Sequence, residues 1–297
     1  MSKFFCAIRV GVIVAALCAF SYTPWAQAQD CKLVSRGEIP LTRSSDGHLL
    51  LSVALNGKPV QMALDFERPF TTISRAKVNE LDAPVTNQAG GEFRLGEDAL
   101  GDVAMLGSVR LGAASVDRLE AVVDDGRKAY NGIILGYNML QYFLPEFDLA
   151  HDVIRLFDKR HCPDKVVYWA PDYLTFKYDD HIGRMLLDAK VDGRDVHAML
   201  APERVQSTIS YDVADASGIS HDTGGALQTL EFGGITLRHA AVQVADLRYA
   251  RGPSGPDAHI QARALLTPTD IKIGADVLKH LRFIIDFEAK TVYFTVG

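Results

Sequence analysis

The sequence predicts a mostly β fold made of two related barrel-like lobes with short helices. Three observations lead there. A stretch of 25 positions, 50–74, recurs at 186–210 without a gap. The two copies are identical at ten positions: Leu50, Leu51, Gly57, Val60, Leu64, Glu67, Arg68, Thr72, Ile73 and Ser74. Each copy holds two β-prone runs around a tight turn, Asn56-Gly57 in the first and Asp192-Gly193 in the second. Such pairs suit hairpin turns because both turn positions need positive φ. Finally, each half closes on a second repeated block, Ile133-Ile134-Leu135-Gly136 and Ile271-Lys272-Ile273-Gly274. A repeat of this size fixes the architecture before any local propensity does.

The elements follow in order. Residues 29–48 read as a polar lead-in. Leu49 to Leu55 and Lys58 to Leu64 form the first hairpin; Met185 to Val191 and Arg194 to Leu200 form its copy. A charged loop follows each hairpin and leads into Thr72-Ile73-Ser74 or Thr208-Ile209-Ser210. Ser74 and Ser210 suit helix N-caps, since a serine oxygen can accept a free amide of the first turn. Short helices are expected to about Leu81 and Ala216.

Gly90-Gly91 and Gly224-Gly225 read as mobile hairpin tips. Further strands are expected at Val109 to Leu111, Leu119 to Val123, Leu230 to Phe232 and Ala240 to Val244. Each closing block predicts strand, glycine and short helix. A hairpin ends each half, Phe147-Asp148 through Phe157 and Ile285-Asp286 through Thr295. Pro163, Pro171 and the charged run from Lys177 to His181 mark the junction, and residues 250–257 read as an exposed loop. The expected organisation is 1–28 signal peptide, 29–163 first lobe and 164–297 second lobe.

The N-terminus carries the export expectation. Lys3 and Arg9 precede an apolar run, Val10 to Phe20, that is too short to span a bilayer comfortably. Ala26-Gln27-Ala28 then offers small residues for cleavage after Ala28. Leu17 before Cys18 and Asp30 before Cys31 lack the small residue that lipid modification wants, so the mature chain is expected to be soluble, with the periplasm as its compartment. Cleavage leaves 29 basic against 37 acidic residues, a net charge of about −8. That balance argues against nucleic acid and anionic membrane as partners. Cys31 and Cys162 remain, and two cysteines in an exported chain favour a disulfide; two separate thiols are the alternative.

In this order the elements resemble the two-lobed, retropepsin-like aspartic proteases that bacteria export. In that family each lobe supplies a hairpin, then Asp-Thr/Ser-Gly, then an apolar-Ser segment, and later an apolar-apolar-Gly motif beneath the active loop. The resemblance spans essentially the whole mature chain. It implies two carboxylates that share a proton, whose repulsion separates their pKa values into an acid and a base. Here the first triplet is Asp65-Phe66-Glu67 and the second is Ala201-Pro202-Glu203. One of six signature positions survives. Ala201 has no proton to exchange, and Pro202 has neither hydroxyl nor amide donor. The resemblance therefore implies the fold together with a dyad reduced to Asp65, hence an inactive relative.

Three rescues of activity can be set beside that reading. Asp222-Thr223-Gly224 spells the signature but follows Ser220-His221 in flap register, where a turn is expected. Glu203 would replace the missing Asp only if its loop rearranged. A homodimer would have to pair two copies of Asp65, although the second lobe should already fill that surface, so a monomer is expected. Glu67-Arg68 and Glu203-Arg204 are equivalent about the pseudo-twofold. That placement predicts an ionic lock, Arg204 to Glu67 or Asp65 and Arg68 to Glu203, because buried charge needs a partner; solvent-facing pairs are the alternative.

No His-Glu-x-x-His, cysteine-rich zinc pattern, Gly-x-Ser-x-Gly or phosphate loop occurs, so neither metal nor cofactor is expected. Three functions remain: a pseudoprotease holding an extended peptide or protein partner in or near its cleft, an atypical endopeptidase using Asp65 with another carboxylate, or an envelope scaffold with its cleft plugged by Phe66, Pro202, Arg68 and Arg204.

Overall fold

The computed structural model describes residues 33–297 except 46, 69, 88–92, 96–97, 125–129, 162–164, 181–184 and 248–268. Residues 1–32, Cys31 and Cys162, Gly90-Gly91 and the loop 250–257 fall outside the described residues.

Each lobe is a closed ring of six strands. In the first, the order is Leu49–Leu55, Lys58–Leu64, Ile133–Leu135, Thr72–Ile73, Ala114–Val123 and Asp102–Leu111. Pairing of Leu55 with Val109 brings the last strand back to the first. The second lobe repeats this with Met185–Val191, Arg194–Leu200, Ile271–Ile273, Thr208–Ile209, Ile235–Val244 and Gly225–Phe232, closed by Val191 on Leu230. Closure removes free strand edges that would otherwise invite pairing with other chains.

Local chemistry sets the shared details. Asn56 and Gly57 have φ of 50° and 79°, and Asp192 and Gly193 have 50° and 81°, the paired positive values a two-residue hairpin turn needs. Ser74 Oγ accepts from the Lys77 amide and Ser210 Oγ from the Val213 amide, each at 3.3 Å. These caps start the helices Arg75–Leu81 and Tyr211–Ser217.

The lobes are joined by a sheet that neither repeat copy contains. Its order is Leu174–Lys177, Thr291–Val296, Leu281–Asp286, Leu144–Asp148, Val153–Phe157 and Ser35–Arg43. At its centre Glu146 pairs with Ile284, and Phe147 with Phe283. The Phe147 and Phe283 rings stack 5.0 Å apart, and Phe66 meets Phe147 edge-on at 5.2 Å. Full burial of Phe66 contributes about 1.5–3 kcal/mol, and it fastens the first-lobe loop to the inter-lobe sheet. Glu146, wholly buried beside this stack, receives Arg155 Nη1 at 2.6 Å and Arg282 Nε at 2.9 Å.

Three expectations need correction. The polar lead-in contains the strand Ser35–Arg43, and the junction contains Leu174–Lys177. Both are largely exposed, and their apolar alternation is brief, Ile39 and Leu41 in the first and Leu174 and Phe176 in the second, too short to mark a strand against the polar residues around it. Gly224-Gly225 is no mobile tip. A Cβ on Gly224 would lie 2.3 Å from the Val242 oxygen, so this is a backbone packing point at the start of a strand. The tip of that hairpin is Gly233-Gly234, both at positive φ.

Candidate functional site

The site is built from two loops held by matching bonds. In the first lobe Asp65 N–H donates to Leu135 O at 3.0 Å, and Tyr137 N–H to Arg68 O at 3.1 Å. In the second Ala201 N–H donates to Ile273 O at 2.9 Å, and Ala275 N–H to Arg204 O at 2.8 Å. Gly136 and Gly274 lie against the loop backbones: a Cβ would come within 2.5 Å of Phe70 C and 2.6 Å of Gln206 C. A short brace completes each support. Asn138 Oδ1 accepts the Thr71 amide and hydroxyl at 3.0 and 2.9 Å; Asp276 Oδ1 accepts those of Ser207 at 3.0 and 2.8 Å. Ala201 thus occupies the position equivalent to Asp65 in backbone as well as in register, and it is fully buried.

The side chains break the symmetry. Asp65 Oδ1 accepts the Glu67 amide at 2.9 Å, and its Oδ2 accepts Arg68 Nε at 3.0 Å. Arg68 is itself buried; it donates to Thr72 Oγ1 at 3.1 Å and lies 3.8 Å from Asp124 Oδ2. Burial pushes the Asp65 carboxyl above its usual range and nearby Glu67 adds to this, while Arg68 opposes both. Glu67 crosses between lobes. Its Oε1 receives Arg204 Nε at 2.5 Å and its Oε2 receives Lys272 Nζ at 2.7 Å. Burial works against ionised Glu67, but Lys272 and Arg204 outweigh it and hold the carboxyl below its usual value.

Glu203 is the remaining acid. Its Oε2 accepts the Phe66 amide at 3.4 Å, a long contact across the lobe boundary, and its Oε1 is buried with no hydrogen-bond partner among the described residues. Burial drives its carboxyl well above the usual range, and the charges of Asp65 and Glu67 drive it further. The loop around it is tied to the first lobe by Arg43, which donates to Pro202 O at 2.9 Å and Glu203 O at 3.2 Å.

Of the lock expected from sequence, the structure contains the bond between Arg204 and Glu67 and not one between Arg68 and Glu203. The reason lies one strand away. Asp124 and Ala245 are equivalent, each donating its amide to the isoleucine of the Thr-Ile strand. Arg68 has Asp124 inside its own lobe, whereas the second lobe has alanine at that place and Arg204 bonds to Glu67 across the interface. Lys272 stands where the first lobe has Ile134, as the parallel pairing of each closing strand shows. The aligned closing blocks carry the signal for Lys272 against Ile134, whereas Asp124 against Ala245 carries none, because the strands before them agree only at Val123 and Val244. Arg43, in the strand read as lead-in, gave none.

Between the loops lies a cavity of about 480 Å³, lined by Asp65, Glu67, Arg68, Glu203 and Arg204 among others. Phe66 and Pro202 are absent from its walls; both are buried, Phe66 in the aromatic stack and Pro202 beneath Arg43. They therefore do not plug it. Asp222-Thr223-Gly224 forms a turn closed by Gly224 N–H to Ser220 O, as expected. The described residues hold no cluster of three or more His, Cys, Asp or Glu able to bind a metal ion, and no helix long and apolar enough to cross a membrane.

No protein-family profile matches the chain, and no curated protein matches it either. Solved structures do. Basic 7S globulin from soybean is similar with a TM-score of 0.52 at 9% identity, covering 89% of this chain and 96% of that one. Conglutin gamma, a basic 7S globulin from lupine seeds, gives 0.51 at 10% identity, over 90% and 96%. The aspartic proteinase from Irpex lacteus gives 0.51 at 11%, over 88% and 97%. At such identities the likeness concerns the fold, and it agrees with the two closed lobes and their joining sheet: the chain has the two-lobed fold of aspartic proteases.

Proposed function

We propose that the chain is an exported, monomeric, catalytically inactive protein of aspartic-protease fold that binds an extended peptide or a segment of a protein partner in or near its inter-lobe cleft. One observation carries this reading. Ala201 holds the place of the second carboxylate, with the backbone bonds of its counterpart intact, while the cavity beside it stays open. The surviving Asp65 is occupied by Arg68 and by the Glu67 amide. A scaffold retained without its acid–base pair still offers backbone donors and acceptors to an extended chain, with pockets for alternate side chains. The N-terminal sequence supports export, and the acidic balance supports a partner other than nucleic acid.

A second reading has an observation of its own. Glu203, two residues past Ala201, brings a buried carboxyl close enough to Asp65 to feel its charge. An endopeptidase using Asp65 and Glu203 would exploit that pair. The bonds of Asp65 count against it, because its two oxygens are held by the Glu67 amide and by Arg68 rather than by Glu203.

The test is incubation of the mature protein with a diverse peptide library from about pH 3 to 7, the window in which a carboxyl pair would split its proton. The expected result is no cleavage together with retention of a subset of peptides. Gln206→Trp, which fills the cavity from its exposed edge, should weaken that retention at least about tenfold, or about 1.4 kcal/mol. Cleavage that Asp65→Ala abolishes would establish the enzyme instead. Neither cleavage nor retention would leave the scaffold reading.

A further inference from the structure

We propose that Glu203 is a proton-carrying latch: as the neutral acid it lets the second-lobe loop lie against the first-lobe loop, and its ionisation releases that loop from the cleft. The inference rests on the binding role proposed above and adds a means of regulating it.

Allocation of charge leads to the latch. The acids at the loops are Asp65, Glu67 and Glu203. The cations facing them are Arg68 from the first loop, Arg204 from the second, Lys272 from the supporting strand and Arg43 from the strand Ser35–Arg43; His48 lines the same cavity. Arg68 is committed to Asp65, and Arg204 and Lys272 to Glu67. Arg43 is spent on the carbonyls of Pro202 and Glu203. None of these bonds reaches the Glu203 carboxyl, whose Oε1 is buried without a partner. A buried carboxylate so placed, with two other acids nearby, is costly, whereas the protonated acid is not. Its raised pKa has that cause, burial first and then Asp65 and Glu67.

The sign follows from linkage. A group that binds its proton more tightly when the loops are docked favours docking below its ordinary pKa, near 4.5. That advantage is lost as pH rises toward the docked value. Acid conditions therefore keep the loop docked and the cleft formed. Alkaline conditions loosen the Ala201 to Arg204 turn that walls the cavity and weaken the hold on a peptide.

Two measurements on the full mature chain, without any peptide, test the latch. Hydrogen exchange at the Arg204 and Ala275 amides, corrected for intrinsic rates, reports docking, because both amides bond within this loop and its support. In the wild type, protection should fall at least about threefold between pH 5 and 8, the part of the tenfold factor from one unit of pKa difference that lies above pH 5 for a carboxyl of ordinary value near 4.5. In Glu203→Gln, which cannot ionise, the change should stay under about twofold. Equal falls in both proteins overturn the proposal. Carboxyl-carbon NMR of the wild type decides the matter even if the variant folds poorly. Glu203 should remain protonated well above the ordinary carboxylate range, and titration within that range overturns the latch. A latch confirmed in a protein that retains no peptide would refute the binding role alone; peptide retention without a pH response would refute the latch alone.

Discussion

The first-lobe loop, Asp65 to Arg68, and the second-lobe loop, Ala201 to Arg204, have the same backbone and opposite electrostatics. Both turn through matching amide bonds, rest on a glycine and are braced from a short helix. Yet the first loop keeps its arginine inside, on Asp65 and near Asp124, and sends its glutamate across the interface. The second sends its arginine across and leaves its glutamate with a buried oxygen that no cation bonds among the described residues. Duplication supplied the geometry, and single substitutions around it redirected the charges. Asp124 against Ala245 and Lys272 against Ile134 are enough to turn two identical Glu-Arg pairs to different tasks.

The largest predicted effect comes from restoring the lost symmetry. Ala201→Asp would bury a third carboxyl beside Asp65 and Glu203 with no cation free to meet it, at a cost of about 3–5 kcal/mol. Urea denaturation at pH 7 measures this. A cost under 1 kcal/mol would mean that the second loop accepts a charge as readily as the first does. The glycines come next. Gly136→Ala and Gly274→Ala each drive a methyl into loop backbone, so each should cost about 2–4 kcal/mol, and by similar amounts. A large inequality between the two would show that the supports are less alike than their bonds suggest.

The smallest effect concerns the bond that crosses the lobes. Because the folded protein holds the Glu67 carboxyl below its usual value, its contribution is complete above the ordinary carboxylate range and is lost as pH falls through the folded value. Glu67→Gln should therefore cost about 1–2 kcal/mol at pH 7, a figure typical of a charge-assisted hydrogen bond, with the difference from wild type shrinking toward pH 3. Melting temperatures of the two proteins across that range check it. A gap that stays constant would assign the cost to packing. Glu203→Gln should have the opposite sign, the variant gaining stability relative to wild type as pH rises.

Much of the fold was legible in the sequence because the repeat is explicit. Both hairpins run over the strands read from the residues, and the serine caps bond as a helix start requires. The strands Ser35–Arg43 and Leu174–Lys177 of the joining sheet were not legible there. In Ser35–Arg43 only Ile39 and Leu41 are buried, and Leu174–Lys177 has no buried residue, so each offers a single apolar pair at spacing two, too little to stand out as a strand. At the site, the four residues of the two Glu-Arg pairs were legible, but several of their pairings, with Lys272 and Asp124 among them, were not. Arg43 lay in a segment with no strand signal, and the inward turn of Arg68 depends on Asp124, 56 positions away in the chain.

The sequence by itself determined that this chain is two copies of one β unit, and that the second copy lacks a carboxylate where the first keeps Asp65. Both follow from residue identity and register, which folding cannot alter. Only the tertiary structure decided which acid meets which cation. Pairing depends on where long side chains find partners once the lobes have closed, and on which carboxyl loses water without gaining one. Glu67 and Glu203 are the same residue at equivalent positions, and their surroundings make one a bridge and the other a buried acid.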